Sequence, residues 1–173
     1  MSEANSEFGK LCQQATTLLD NTKFKRKMRA NIMHETYPYI LVGYQDKHVN
    51  HKVNFSVEHC TNLRLFKYLT RMVKIVDPDF TFTSIIINKN VVCSKHKDKN
   101  NTGLSYIIGL GNYTGGETVV EGEMWDIRNK FLKFDGTNRE HWSLPFEGTR
   151  YSCVYYTNEE VQKWLDKENM SAF

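Results

Sequence analysis

Three groups of residues have types and spacings that can do chemistry. The first is His96-Lys97-Asp98, inside the run Cys93-Ser94-Lys95-His96-Lys97-Asp98. Side chains two apart in an extended chain point to the same side, so the imidazole of His96 and the carboxylate of Asp98 can converge on one point. The second is His141, 43 residues beyond Asp98. The third is Arg150-Tyr151-Ser152, where guanidinium and hydroxyl again share a face and can hold one carboxylate together. A buried arginine on a strand is costly unless it is paired. Its own face continues through Ser152, Val154 and Tyr156 and carries no acid. The counter-charge is then either the carboxylate of a small acid or an acidic residue of another strand. Two histidines and a carboxylate on adjoining strands make the facial triad of non-haem Fe(II) sites, which leaves positions open for a cosubstrate and oxygen.

These residues need a scaffold, and the hydrophobic period supplies one. Residues 1–22 are polar with an amphipathic stretch (Phe8, Leu11, Leu18, Leu19) that reads as a helix. From Ser56 to Val76 the apolar positions Leu63, Phe66, Leu69, Val73 and Val76 recur at three and four, and Asp77-Pro78 stops that helix. The period then changes. Phe80–Asn90, Leu104–Leu110, Glu117–Glu121, Trp125–Ile127, Phe131–Phe134, His141–Phe146 and Arg150–Thr157 are short, rich in β-branched and aromatic residues, and separated by Gly, Asn and Asp clusters. A last helix starts at Thr157 or Asn158, with Glu159 and Glu160 suited to its positive end. The expected fold is α+β in one domain. A mostly helical support spans 1–79, a β-rich core holding the chemistry spans 80–157, and a closing helix spans 158–173.

The order and spacing of the chemical residues are more specific than any one of them. H-x-D, about 40 residues, His, and then R-x-S resembles the Fe(II)/2-oxoglutarate dioxygenases, over roughly Phe80 to Thr157. Ile87-Asn88-Lys89-Asn90, Asn100-Asn101-Thr102-Gly103-Leu104-Ser105, Gly109-Leu110-Gly111-Asn112-Tyr113-Thr114-Gly115-Gly116-Glu117, Phe134-Asp135-Gly136 and Gly148-Thr149-Arg150-Tyr151-Ser152 are most similar to the TET/JBP group. That group oxidises the methyl group of 5-methylpyrimidines in nucleic acids. Prolyl hydroxylases resemble the chain less well, because they usually carry lysine where Arg150 stands. The resemblance implies a double-stranded β-helix (jelly-roll, cupin-like) core with N-terminal supporting helices. It implies Fe(II) held by His96, Asp98 and His141, with 2-oxoglutarate as cosubstrate held by Arg150 and Ser152, Asn88 nearby, and O2 consumed. It implies hydroxylation of a C–H bond, with a nucleic-acid substrate in the TET/JBP reading. The alternatives are a prolyl- or lysyl-type hydroxylase of protein side chains and a catalytically silent jelly-roll binding module.

Composition sets the outer limits. The chain has 173 residues, 40% hydrophobic and 25% charged, which is globular and neither disordered nor fibrous. Its apolar runs are far shorter than the ~20 residues of a membrane helix, so no membrane partner is expected. No secretory signal is visible, and four scattered cysteines (Cys12, Cys60, Cys93, Cys153) read as reduced thiols, implying a cytoplasmic or nuclear location. A net charge of +3 does not by itself imply a polyanionic partner. The basic run 23–29 either contacts phosphates or is a solvated helix face. Gly109-x-Gly111 with Gly115-Gly116 precedes a strand-like run and not a helix, so it reads as turns and not as a dinucleotide loop. Cys93-x-x-His96 lacks the second ligand pair of a structural zinc site. Tyr106, Tyr113, Trp125 and Trp142 either stack an extruded base or fill the core, with core expected for at least two of them. His34, His48, His51 and His59 read as surface or packing residues.

Overall fold

The computed structural model describes residues 6–28, 36–47 and 52–173. The histidines at 34, 48 and 51 and Arg29 of the basic run lie outside them. Helix α1 (Glu7–Asp20) begins where the Ser6 hydroxyl accepts from the Gly9 amide, and it buries Leu11, Cys12, Ala15 and Leu19. Helix α3 (Leu63–Val76) buries Leu65, Phe66, Leu69, Met72 and Val73, the three-and-four stripe that its sequence displays. Asp77 caps it, and Pro78, with no amide hydrogen, cannot prolong it. The expected single helix from Ser56 is divided: α2 (Val57–Thr61) ends at Asn62 and α3 starts anew. Ser56 caps the start of α2 by accepting from the His59 amide, and at the break Asn62 leaves the helical conformation (φ −125°, ψ +33°) while its side-chain amide donates to the Glu58 carbonyl and closes α2.

Among the described residues the first 79 hold helices α1, α2 and α3, and with them three strands that their local pattern does not announce. These are β1 (Arg26–Met28), β2 (Thr36–Lys47) and β3 (Lys52–Phe55). The run Tyr37-Pro38-Tyr39-Ile40-Leu41-Val42 is aromatic and β-branched, and Pro38 is tolerated because it pairs only with the short edge strand β1. The basic run therefore continues into a strand and not a helix.

Eight more strands of the second half are β4 (Ser84–Lys89), β5 (Asn101–Leu110), β6 (Tyr113–Gly115), β7 (Thr118–Val120), β8 (Glu123–Trp125), β9 (Leu132–Phe134), β10 (His141–Ser143) and β11 (Phe146–Gly148). They are followed by β12 (Tyr151–Asn158) and helix α4 (Glu159–Lys167). As the sequence indicates, Asn158 caps α4 by accepting from the Val161 amide. Among the described residues the main sheet runs β1-β2-β4-β12-β5-β9, with β3 on β2. Two smaller sheets, β10-β7-β8 and β11-β6, face it. All ladders among the described residues are antiparallel, and the two layers form a double-stranded β-helix backed by helices, an α+β fold.

Period-two alternation divides the central strands between two environments. Tyr151, Cys153 and Tyr155 of β12, with Ile85 and Ile87 of β4 and Ile40 and Val42 of β2, face α1 and α3 in the main core. The intervening Arg150, Ser152, Val154 and Tyr156, with Ile86 and Asn88, face a cavity between the sheets. Removing a large side chain from the helix-facing half costs about 2–5 kcal/mol. The opposite face is left to carry the polar residues. No helix among the described residues is long and apolar enough to cross a membrane.

Candidate active site

The segment after β4 runs alongside β10 and is tied to it at two levels. The Cys93 amide donates to the Ser143 hydroxyl (2.7 Å), and the Ser143 amide to the Cys93 carbonyl. Three residues on, His96 and His141 exchange both backbone hydrogen bonds, at 3.1 and 3.0 Å. Such a pair puts its side chains on the same side of the ladder, and the two imidazole centroids are 4.3 Å apart. Asp98 is anchored by its own amide, which donates to the Gly136 carbonyl at 2.8 Å. Its carboxylate reaches both rings: Oδ1 is 3.7 Å from His96 Nε2 and Oδ2 is 3.4 Å from His141 Nε2. One ligand atom from each residue falls within a 4.8 Å group.

The orientation of both rings follows from their other nitrogens. His96 Nδ1 lies 2.6 Å from the Ser94 carbonyl and His141 Nδ1 lies 3.0 Å from the Arg139 carbonyl. A carbonyl can only accept, so each Nδ1 carries the hydrogen, and in the neutral ring Nε2 keeps its lone pair facing Asp98. Gly136 makes room for the carboxylate, since a Cβ there would stand 2.9 Å from Asp98 Oδ2. Phe134 packs edge-on against His141. Two imidazole nitrogens and one carboxylate oxygen on one side of a cavity fit a non-haem Fe(II) ion with coordination positions to spare.

Arg150 stands at another part of the same cavity wall, immediately before β12 and 2% exposed. Its Nε and Nη2 have no hydrogen-bond partner among the described residues, and no ion pair is formed with it there. The acidic residue from another strand, left open by the sequence, is thus not found at these atoms. The guanidinium carbon lies 5.6 Å from the Tyr113 ring centre and 5.7 Å from that of Phe146. Gly116, at φ +71°, backs it closely: a Cβ there would come 2.8 Å from Nε. Ser152 accepts from the Asn88 side-chain amide at 3.3 Å, and the two residues are direct partners in the β4–β12 ladder. The cavity of about 370 Å3 that joins triad and arginine fits a small dicarboxylic acid, with a charged group buried at one end to receive it.

No family model matches the sequence, and no curated protein matches it. Solved structures do. NgTET1 in complex with 5mC DNA superposes with a TM-score of 0.65 at 14% identity, covering 87% of this chain and 69% of that one. A prolyl hydroxylase from Trichoplax adhaerens, in complex with a hypoxia inducible factor oxygen degradation domain peptide fragment, gives 0.57 at 13% identity, over 92% and 82% of the chains. An oxidoreductase of the 2OG-Fe(II) oxygenase family from Burkholderia pseudomallei gives 0.50 at 15% identity, over 90% and 94%. The chain has the fold of these oxygenases.

Within this oxygenase fold the six residues singled out from sequence, His96, Asp98, His141, Arg150, Ser152 and Asn88, all line one cavity. The four aromatics divide. Tyr106 and Tyr113 are core residues, Trp142 lines the cavity, and Trp125 is exposed on β8. His59 is a packing residue, stacked on Phe55 with ring centres 4.6 Å apart. Sequence reasoning did not single out Thr118, Gly116, Gly136 or Asn90 as parts of the site. Only the Gly115-Gly116 pair carried a usable signal, because glycine beside a strand can mark a close approach as well as the turn read there.

Proposed function

We propose that the protein is an Fe(II)- and 2-oxoglutarate-dependent dioxygenase that hydroxylates a C–H bond, the methyl group of 5-methylcytosine or thymine in nucleic acid. The observation that carries the enzymatic reading is one cavity with three converging metal-ligand atoms and, in the same wall, a buried guanidinium without a partner at Nε and Nη2 among the described residues. A silent binding module has no need of both. His96, Asp98 and His141 would hold the iron, and Arg150 and Ser152 the distal carboxylate of 2-oxoglutarate. Iron and 2-oxoglutarate, when bound, supply an oxidant from O2 as the keto acid leaves as succinate and CO2.

The chain's own residues bind, orient and exclude water. The Ser94 and Arg139 carbonyls fix both imidazoles for ligation. Asn88 holds the Ser152 hydroxyl, whose own hydrogen is then available to a carboxylate. Ile86, Ile107, Phe134 and Val154 give the cavity its apolar wall and keep bulk water from the reacting centre.

Support for a nucleobase comes from the motif resemblance, from the DNA in the NgTET1 complex, and from the cavity's margin. Toward the Asn158 end the wall carries Asn100, Asn101 and Gln45, amides of the kind that pair with base edges. The described part of the basic run reaches Met28, itself a lining residue, with exposed Lys25 and Arg26 three and two residues before it. The deciding experiment is succinate release with iron and 2-oxoglutarate, assayed with methylated DNA, methylated RNA and peptides. Methylated nucleic acid is expected to stimulate turnover and His96→Ala to abolish it. Stimulation by peptide alone would transfer the substrate to the protein-hydroxylase reading, and near-normal turnover in His96→Ala would sink the triad.

A further inference from the structure

The segment that presents His96 and Asp98 to the cavity carries a second set of side chains on its other side. From Lys95 to Lys99 burial alternates: His96 and Asp98 are half-buried, while Lys95, Lys97 and Lys99 are exposed. Alternate side chains of such a stretch share a face. The backbone that aims an imidazole and a carboxylate inward therefore lines up three ammonium groups outside. Asp98, the one acid between Cys93 and Lys99, belongs to the inner set.

Countercharge reaches one of the three among the described residues. The antiparallel pairing of His96 with His141 sets Lys95 opposite Trp142 and Lys97 opposite Glu140. Glu140 nevertheless lies 3.6 Å from the Lys95 ammonium, which also stands 4.7 Å from the centre of the Trp142 ring. No described acid forms an ion pair with Lys97 or Lys99. Exposed Lys99 also lines the cavity, beside Asn100 and Asn101, so the row ends at the opening. The backbone there is fixed. The Asp98 amide donates to the Gly136 carbonyl at 2.8 Å, the Asn100 carbonyl accepts from the Glu159 amide at 3.0 Å, and the Asn101 carbonyl accepts from the Thr137 hydroxyl at 3.1 Å. Like charges in a row repel one another, and a divalent ion on His96 and Asp98 adds to that repulsion. An anion laid along the row relieves both.

We infer that Lys97 and Lys99, with Lys95 beside them, contact the phosphates of a nucleic-acid strand and hold it across the opening while one base enters the cavity. The inference rests on the nucleic-acid reading above. Phosphate contacts set the position of a strand, and the amides of Asn100 and Asn101 next to the row can then meet a base edge. A phosphate backbone matches the row better than a peptide does, because its charges repeat along the strand whatever its sequence.

The test is the salt dependence of binding. A labelled single-stranded oligonucleotide with one 5-methylcytosine is titrated with the full chain loaded with Mn(II), between about 50 and 200 mM KCl. Each phosphate contact on a single strand contributes about 0.7 to the slope of log affinity against log salt. The double variant Lys97→Gln, Lys99→Gln is expected to flatten that slope by about 1.4, one increment for each lysine. Replacing both by arginine keeps the charges and is expected to keep the slope. The pair Lys10→Gln, Lys67→Gln removes the same charge from exposed positions on α1 and α3, across the main sheet from the cavity, and is also expected to keep it. An unchanged slope in the Lys97, Lys99 glutamine variant overturns the inference. Equal flattening in the Lys10, Lys67 pair overturns it too, since net charge would then be the cause, and so does equal flattening in the arginine variant. A wild-type chain that binds Mn(II) but not the oligonucleotide overturns the nucleic-acid reading and this inference with it, while succinate release still judges the dioxygenase reading.

Discussion

Asn90 grips the backbone of Arg150 at both of its polar atoms. Its amide donates to the Arg150 carbonyl at 2.8 Å, and its side-chain Oδ1 accepts from the Arg150 amide at 2.8 Å. The β4–β12 ladder has its last partners at Lys89 and Tyr151, so this exchange prolongs the pairing by one step, where Arg150 turns its side chain into the cavity. Asn90 does so at φ +53°, a left-handed conformation that Asn and Asp adopt more readily than other side chains. Asn90→Gly suits that backbone but deletes the acceptor, whereas Asn90→Asp keeps both. The expected outcome is about a 5- to 20-fold weaker 2-oxoglutarate affinity in the glycine variant, the loss of one partly buried hydrogen bond, and recovery of most of it in the aspartate variant. Titration with the metal bound measures it, and a glycine variant that binds like wild type would show that the clamp does not position Arg150.

Metal binding should be visible as stability. Nothing but ligand geometry is needed for the coupling: an ion that binds the folded chain stabilises it by about 2.7 kcal/mol at a hundredfold excess over its Kd. For a chain of this length that raises the melting temperature by about 5–10 °C. Mn(II), which resists air oxidation, is a convenient probe, and a chelator should reverse the rise. Asp98→Asn removes the one anionic ligand of the group and is expected to lose most of the shift while the metal-free chain melts close to wild type. A full shift in Asp98→Asn would remove that residue from the ligand set.

Much of the second half was legible because residue spacing and strand period coincide there. Residues two apart share a face on a strand, so H-x-D and R-x-S each declare which atoms point together before any fold is known. Helices α3 and α4 were equally plain, one from its apolar stripe and the other from the Asn158 cap. The strands within the first 79 residues were not legible, for a physical reason. Strand β2 takes its place beside β4 through a ladder 41 to 49 residues distant in sequence, Tyr39 opposite Asn88 to Gly43 opposite Ser84, and no local signal encodes such a partner. The same holds for the site's second layer. Thr118, Asn90 and Gly136 matter because of what stands opposite them, and a threonine in a short strand or a glycine after an aspartate has many blander uses.

His59 should make stability depend on pH, and the sign follows from its hydrogen bond. The ring accepts from the Gly43 amide through Nδ1 at 3.0 Å and is packed between Phe55, stacked, and Phe66, edge-on. An accepting nitrogen cannot hold a proton, and burial likewise lowers the pKa from the ordinary 6.5. Above pH 6.5 the ring is neutral folded or unfolded and contributes no pH dependence. Below it the unfolded chain takes up a proton that the folded chain refuses, so stability falls as pH falls, until the folded ring also protonates. One such proton gives a slope of at most about 1.4 kcal/mol per pH unit. Urea midpoints of wild type and His59→Asn, compared at pH 7.5 and 5.5 (about one pH unit either side of the ordinary value), isolate this group, because the other titrating residues are common to both chains. The variant is expected to be less stable at the higher pH and to close part of the gap at the lower. A gap that stays constant would show that His59 protonates as freely in the fold as outside it.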